Sequence, residues 1–391
     1  MPLENYESEG LEKIPDLRIA QWFYEIRSEK VSPSECESIK KKLTQEIIEN
    51  NMLPFYENYA KNYLPAIPTE QLKKIADENV KKLELLDEKI KDAETNLGDT
   101  EVRDAMIEKA HFFSRIGDKQ KTLEHLNLVL EKTMMPGARL DCLFHMIRVG
   151  FFYDDRKLVT ENIEKANKII EEGGDWDRRN RLKVYRGLHH MAGRDFVSAS
   201  KEFIHAVATF TSYELMDYKI FITYAVLTSM IALKRPELRE KIIRGSEVQE
   251  VLHSLPVLKE YLMSLFECRY AEFFRYLTGI EQFLLKDRYL AIHARYYVKE
   301  MRILAYSQHL NSYRSINLES MAKLFGISVE FLDNDISRFI SAGLLMCKID
   351  KVNGIIETTQ PDSVNFLYQS VIKQGDVLLN RIQKLSQVVN I

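Results

Sequence analysis

The sequence predicts a mainly α protein: a tetratricopeptide-like helical-repeat solenoid, followed by a winged-helix module and C-terminal helices. Three observations carry this expectation. Apolar residues keep a helical period from residue 70 onward, with prolines concentrated before it. Glycines recur at Gly117, Gly150 and Gly187, intervals of 33 and 37 residues. Near residue 313 the period changes, and two short β-prone runs flank Asn353-Gly354, a favoured hairpin dipeptide.

Taken in order, residues 1–69 hold Pro2, Pro15, Pro33, Pro54, Pro65 and Pro68 and read as an N-terminal helical extension. Residues 70–192 read as a long helix followed by repeats. Between 70 and 97, Leu72, Asn79, Leu86 and Ala93 form one heptad row, and Ala76, Leu83, Ile90 and Leu97 form the other. At 1.5 Å per residue this helix is roughly 40 Å long. It is either a coiled-coil arm for a partner or a helix packed on its own domain. In the repeats, Gly150 precedes Tyr153 in G-x2-Y spacing, and Gly187 is followed by Ala199 and Phe203 in A-x3-F spacing. Small residues at these places let paired helices approach closely, and pairs that cannot bury their apolar faces alone stack into a solenoid.

Residues 193–312 continue the helical pattern, and 313–361 carry the winged helix. In the latter, SINLESMAKLFGISVEFLDNDISRFISAGLLMCKID reads as a strand start, a helix, a Gly-centred turn and a second helix. Leu344 to Ile349 and Ile355 to Thr359 read as the wing strands. Residues 362–391 read as C-terminal assembly helices, with Gly375 marking a break and Asp376 capping a last helix. That helix carries a stripe of Leu378, Ile382, Leu385 and Val389, and at about 16 residues it is marginal alone in water. The stripe therefore calls for a partner surface.

Composition limits the function. With 55 basic against 58 acidic residues the net charge is −3, without the basic excess of a nucleic-acid or anionic-membrane binder. Cys36, Cys142, Cys268 and Cys347 are isolated, which fits a reducing compartment and gives neither a zinc ribbon nor a redox dithiol. The longest uncharged run, Ile220 to Leu233, has 14 residues, too short for a membrane span. The opening MPLENYESEG lacks a secretory h-region, so the chain reads as soluble and intracellular.

No P-loop, dinucleotide fingerprint, zincin or nucleophile-elbow string occurs, and the nine histidines lack metal-ligand spacing. The expectation is no enzyme activity, no cofactor and no metal. The would-be reading helix of the winged module holds Glu330, Asp333 and Asp335 against Arg338 alone. Carboxylates there meet phosphate repulsion, so the module reads as one used for protein contacts rather than DNA. Its wing strands offer an edge for pairing with another chain, with Cys347, Ile349, Ile355 and Glu357 as the edge residues. One basic aromatic stretch remains, Asp175 to Tyr185, with Arg178, Arg179, Arg181 and Lys183 beside Trp176 and Tyr185. It reads either as an RNA-stacking patch or as a helix start capped by Asp175 after Gly173-Gly174, and no second basic cluster extends it.

A family likeness enters with MPLENYESEGLEKIPDLRIAQ, IEEGGDWDRRNRLKVYRGL, TFTSYELMDYK, EVLHSLPVLKEYL, RYYVKEMRILAYSQ, CKIDKVNGIIET and KQGDVLLNRIQKLSQVVNI. These strings run from end to end, and 21–66 departs most from the pattern. The chain resembles the PCI family, found in the proteasome lid, the deneddylating signalosome and a translation initiation factor complex. Within it the resemblance is to lid subunits of the proteasome regulatory particle. It implies a non-enzymatic scaffold in cytoplasm and nucleus, in the complex that handles ubiquitinated proteins. The partners implied are other lid subunits, met through winged-helix edges and a C-terminal helix bundle, and the ATPase ring and base; neither nucleic acid nor membrane is implied. A signalosome subunit of the same architecture is the alternative, with a winged-helix nucleic-acid binder behind it.

Overall fold

The computed structural model describes residues 13–28, 30, 32–96, 98–173, 175–358 and 363–389. The opening MPLENYESEGLE, Leu97 of the heptad row, Gly174, Thr359, Pro361 and the last two residues lie outside the described residues. The chain divides into two compact units. The first takes the described residues up to Leu262 together with Thr278–Val298; the second takes Met263–Leu277 and the described residues from Lys299 onward. The division thus splits the expected 193–312 segment and leaves no break at 69/70 or 192/193.

The first unit opens with α1 (Leu17–Arg27), α2 (Pro33–Glu49) and the short α3 (Leu53–Phe55), which runs on as a π-helical turn over Tyr56–Ala60. Then come α4 (Thr69–Asn96), α5 (Asp99–Ile116), α6 (Lys119–Lys132), α7 (Pro136–Phe152), α8 (Arg156–Gly173), α9 (Trp176–Ala192) and α10 (Phe196–Ala206). After these follow α11 (Tyr218–Ala232), the short α12 (Arg235–Leu238) and α13 (Ser246–Ser254). Of the next three, α14 (Pro256–Phe266), α15 (Tyr270–Lys286) and α16 (Ala294–Leu310), each has residues in both units.

From α4 to α11 each helix packs on its neighbour in sequence, the mark of a stacked repeat. The 28-residue α4 lies on α5 and buries Ile75, Asn79, Leu86 and Ala93, so three of the four positions in its first heptad row face its own domain. Burial of an asparagine there is met by Asn79 Nδ2, which donates to the Asn51 carbonyl at 3.0 Å. Leu72, Ala76, Leu83 and Ile90 are half-buried.

The glycine spacing has a steric basis. A Cβ at Gly150 would stand 2.7 Å from Val159, and one at Gly187 would stand 2.5 Å from the Phe203 ring, so both positions admit a neighbouring helix that any side chain would push away. Gly117 combines both roles: a Cβ there would stand 2.6 Å from Phe55 Cβ, and it is the left-handed residue (φ 82°) that ends α5. The same turn recurs with Asp154 (φ 54°) after α7 and Arg194 (φ 68°) after α9. In each, the following aspartate returns its amide to the carbonyl five residues back: Asp118 to Phe113 at 3.1 Å, Asp155 to Gly150 at 2.9 Å and Asp195 to His190 at 2.9 Å. Each aspartate then caps the next helix, accepting from Lys121, Leu158 and Ser198 amides. The repeat is therefore also written in Asp118, Asp155 and Asp195, a signal stronger than the glycines alone.

The second unit contains β1 (Ser315–Asn317), α17 (Leu318–Phe325), α18 (Val329–Ser341), β2 (Cys347–Asp350), β3 (Ile355–Thr358) and α19 (Ser363–Val389). Asn317 caps α17, Gly326 ends it at φ 66°, and Ser328 caps α18, which makes the helix-turn-helix. The strands form one antiparallel sheet in the order β1-β3-β2. Its inner row is Ile316, Ile356 and Ile349, directly opposite one another. The same unit holds an aromatic cluster of Tyr270, Phe274, Tyr306, His309, Phe325 and Phe339. The wing turn includes the Asn353-Gly354 dipeptide. It spans Lys351–Gly354, with Gly354 left-handed and the Asp350 carboxylate accepting from the Val352 and Asn353 amides.

α19 corrects a further expectation. It is one helix of 27 residues that passes through Gly375, and Asp376 lies inside it rather than at a cap. A glycine within a helix costs only about 1 kcal/mol relative to alanine and need not stop it.

Candidate interaction surfaces

The sheet offers one backbone edge at the wing, and the register fixes which groups occupy it. Thr358 N donates to Arg314 O at 3.0 Å and Leu318 N to Gly354 O at 2.8 Å, so alternate residues of β3, including Ile356, face β1. Ile355 and Glu357 then direct their amides and carbonyls to β2, opposite Asp350 and Lys348. By the same alternation the N–H and C=O of Cys347 and Ile349 point away from the sheet. This sorts the four expected edge residues. Cys347 and Ile349 present the free backbone edge, while their side chains are buried and half-buried. Ile355 and Glu357 are corrected: their strand is central and pairs on both sides. Sequence could not order the three strands, because β1 lies 38 residues before β3 and reads as little more than a helix start.

The would-be reading helix α18 shows a different face from the one its composition suggests. Asp335 is buried, with Arg302 Nη1 donating to it at 3.1 Å and the Tyr306 hydroxyl at 3.3 Å. Burial raises its pKa, and the Arg302 charge opposes that rise. Asp333 accepts from Lys351 at 3.0 Å. The exposed positions are Val329, Glu330, Phe331, Asn334, Arg338 and Ser341, one acid and one base among apolar and neutral groups. The face is unsuited to phosphate because it is neutral, not because it carries three carboxylates.

In the basic stretch, Arg178 binds Asp141 at 2.8 Å and Asp175 at 3.4 Å, and Arg181 binds Asp177 at 3.0 Å. Lys183 donates to Asn180 at 3.0 Å. Arg178 thus joins α9 to α7, Arg181 and Lys183 are paired within α9, and Arg179 is exposed. Asp175 precedes α9 without making a side-chain cap bond; its carboxylate is turned to Arg178.

Among the described residues, α19 carries the longest run of exposed large apolar side chains. Val364, Tyr368, Val371, Leu378, Ile382, Leu385 and Val389 are each more than half exposed. With Gly375 they recur at alternating steps of four and three residues, the 3.5-residue repeat of a helix made to lie along other helices. All four expected tail residues belong to this seam, and the uninterrupted helix lengthens it by Val364, Tyr368 and Val371. Among the described residues no group of three His, Cys, Asp or Glu side chains could hold a metal ion, and no helix is long and apolar enough to cross a membrane.

The chain matches the family model described as 26S proteasome subunit RPN7 over residues 69–241 and that of the PCI domain over 259–360. Residues 368–389 match the C-terminal helix of the 26S proteasome regulatory subunit RPN7/PSMD6. It is similar to the 26S proteasome non-ATPase regulatory subunit 6 homolog of Arabidopsis thaliana, 46% identical over 96% of this chain and 97% of that one. The 26S proteasome non-ATPase regulatory subunit 6 of Dictyostelium discoideum is 43% identical over 98% of this chain and all of its own length. The 26S proteasome regulatory subunit RPN7 of Saccharomyces cerevisiae is 35% identical over 99% of this chain and 96% of its own.

Proposed function

The chain belongs to the 26S proteasome RPN7/PSMD6 family of PCI-domain regulatory subunits, and we propose that it acts as a non-catalytic scaffold of the regulatory particle lid. In this reading it takes part in degradation of ubiquitinated proteins by assembly, not by chemistry of its own. The observation that carries it is α19: 27 residues of helix with a seam of large apolar side chains open to water. Such a seam calls for a bundle of other helices to cover it. The outward amides and carbonyls of Cys347 and Ile349 supply a second contact, edge-to-edge pairing with a neighbouring winged helix. Lid subunits are the partners for both surfaces, with the ATPase ring and base reached through the assembled particle. Cytoplasm and nucleus are the compartments that follow.

The test is a mild affinity purification of the tagged chain from cells, beside a version truncated after residue 358, with mass spectrometry of what co-purifies. The intact chain should recover lid and ATPase-ring subunits, and the truncated chain should lose them while remaining folded. Recovery of signalosome subunits, or equal recovery by the truncated chain, would sink the reading.

A further inference from the structure

The first unit holds a buried ionic cluster that neither the repeat nor the interaction surfaces require. At its centre the Arg148 side chain on α7 is 11% exposed and the Glu214 side chain 1%. Arg148 donates from Nε to the Ile14 carbonyl at 3.1 Å and from Nη1 to the Tyr185 hydroxyl at 3.2 Å; its Nη2 lies 3.1 Å from His145 Nδ1. Tyr185 in turn donates to Glu214 Oε1 at 3.1 Å, and Arg148 stands 4.0 Å from the same oxygen. The other carboxylate oxygen of Glu214 is buried with no hydrogen-bond partner among the described residues. One guanidinium therefore joins three parts of the chain: the approach to α1, the α7–α9 pair, and the irregular connection before α11.

The middle of α1 is held differently. Gln21 donates from Nε2 to the Lys286 carbonyl at 2.8 Å and accepts from the Arg288 amide at 3.1 Å, so one side-chain amide spans a stretch of backbone. Between these two fastenings α1 buries only Leu17, Ile19 and Ala20. A cavity of about 440 Å³ lies along it, lined by Leu17, Trp22, Tyr213, Met216, Ile220 and Phe283. An element with few buried apolar groups, held largely by polar fastenings, belongs to the low-stability part of a fold.

We propose that α1 is a strap across the repeat stack, closed by the Arg148–Tyr185–Glu214 latch, and that its docking and the ordering of residues 212–217 are a single event. Glu214 has a tolerable burial only while Arg148 is fixed, and Arg148 is fixed by the Ile14 carbonyl that the strap delivers. Lifting the strap releases both.

The test is hydrogen exchange followed by mass spectrometry on the full chain. Gln21→Ala removes the distant fastening and touches no latch residue. It should speed exchange of residues 18–27 and of residues 213–217 together, each by about tenfold or more, with α7 unchanged. Faster exchange of 18–27 alone would overturn the coupling, as would a uniform rise across the chain or no change anywhere. Arg148→Lys, which keeps the charge but cannot reach Ile14, Tyr185 and His145 at once, should give the same paired response.

Discussion

At the scale of single residues, burial changes the meaning of a charge. In the sequence Asp335 counts against nucleic-acid binding; in the fold it is an anchor between α18 and α16, 7% exposed and held by Arg302 and Tyr306. Replacing Arg302 by Met strips the carboxylate of its charge partner and should cost about 3 kcal/mol at neutral pH. The sign with pH follows from burial. Asp335 has a folded-state pKa raised above its unfolded value, so its contribution is fully present below the unfolded pKa and is lost as pH rises through the folded one. The penalty of Arg302→Met should therefore shrink at pH 4, where the protonated acid needs no cation. Chemical unfolding of both proteins at the two pH values checks this.

Elements raise the question of what a free edge and a free face are for. The alternation in β2 makes opposite predictions for adjacent residues. Proline at Ile349 removes an amide that points outward, so the sheet should survive while co-purification of neighbouring subunits falls. Proline at Lys348 removes a ladder bond to Glu357 and should destabilise the winged helix itself. If both variants fold and assemble normally, the edge is not an interface. In α19, Gly375 lies on the apolar seam with nothing within 4 Å of a Cβ built there. A peptide of residues 363–389 with Gly375→Ala should gain helicity by circular dichroism, since alanine is favoured by about 1 kcal/mol. In the full chain the same change should weaken assembly if a partner helix passes close to that position.

Over the whole molecule, several histidines are held neutral by their surroundings. Burial, Arg148 and His111 keep His145 well below its ordinary pKa, and burial also lowers His125, His189 and His309. The unfolded chain takes up protons near pH 6.5 and the folded chain does not, so stability falls as pH drops below about 6.5. Both tryptophans, Trp22 and Trp176, belong to the first unit and report its unfolding. Between pH 7 and pH 5 the urea midpoint should move down, and His145→Gln should reduce that movement. An unchanged slope in the variant would remove His145 from the account.

The sequence by itself determined the periodic features: the helical stack, the close-approach glycines Gly150 and Gly187, the helix-turn-helix and the tail stripe. Each follows from local sterics or from a repeat that one helix displays alone. The end-to-end strings were legible in the same way and carried the family. Only the tertiary structure decided which strand is central, because strand order depends on pairing across 38 residues of chain that no local rule governs. It likewise decided that Asp335 is an anchor and not a surface charge. It decided too that α4 packs inward, and that Arg148 links the Ile14 carbonyl to Tyr185 and Glu214. Buried polar groups are placed by partners distant in sequence, and their energetics exist only once the fold has removed the water.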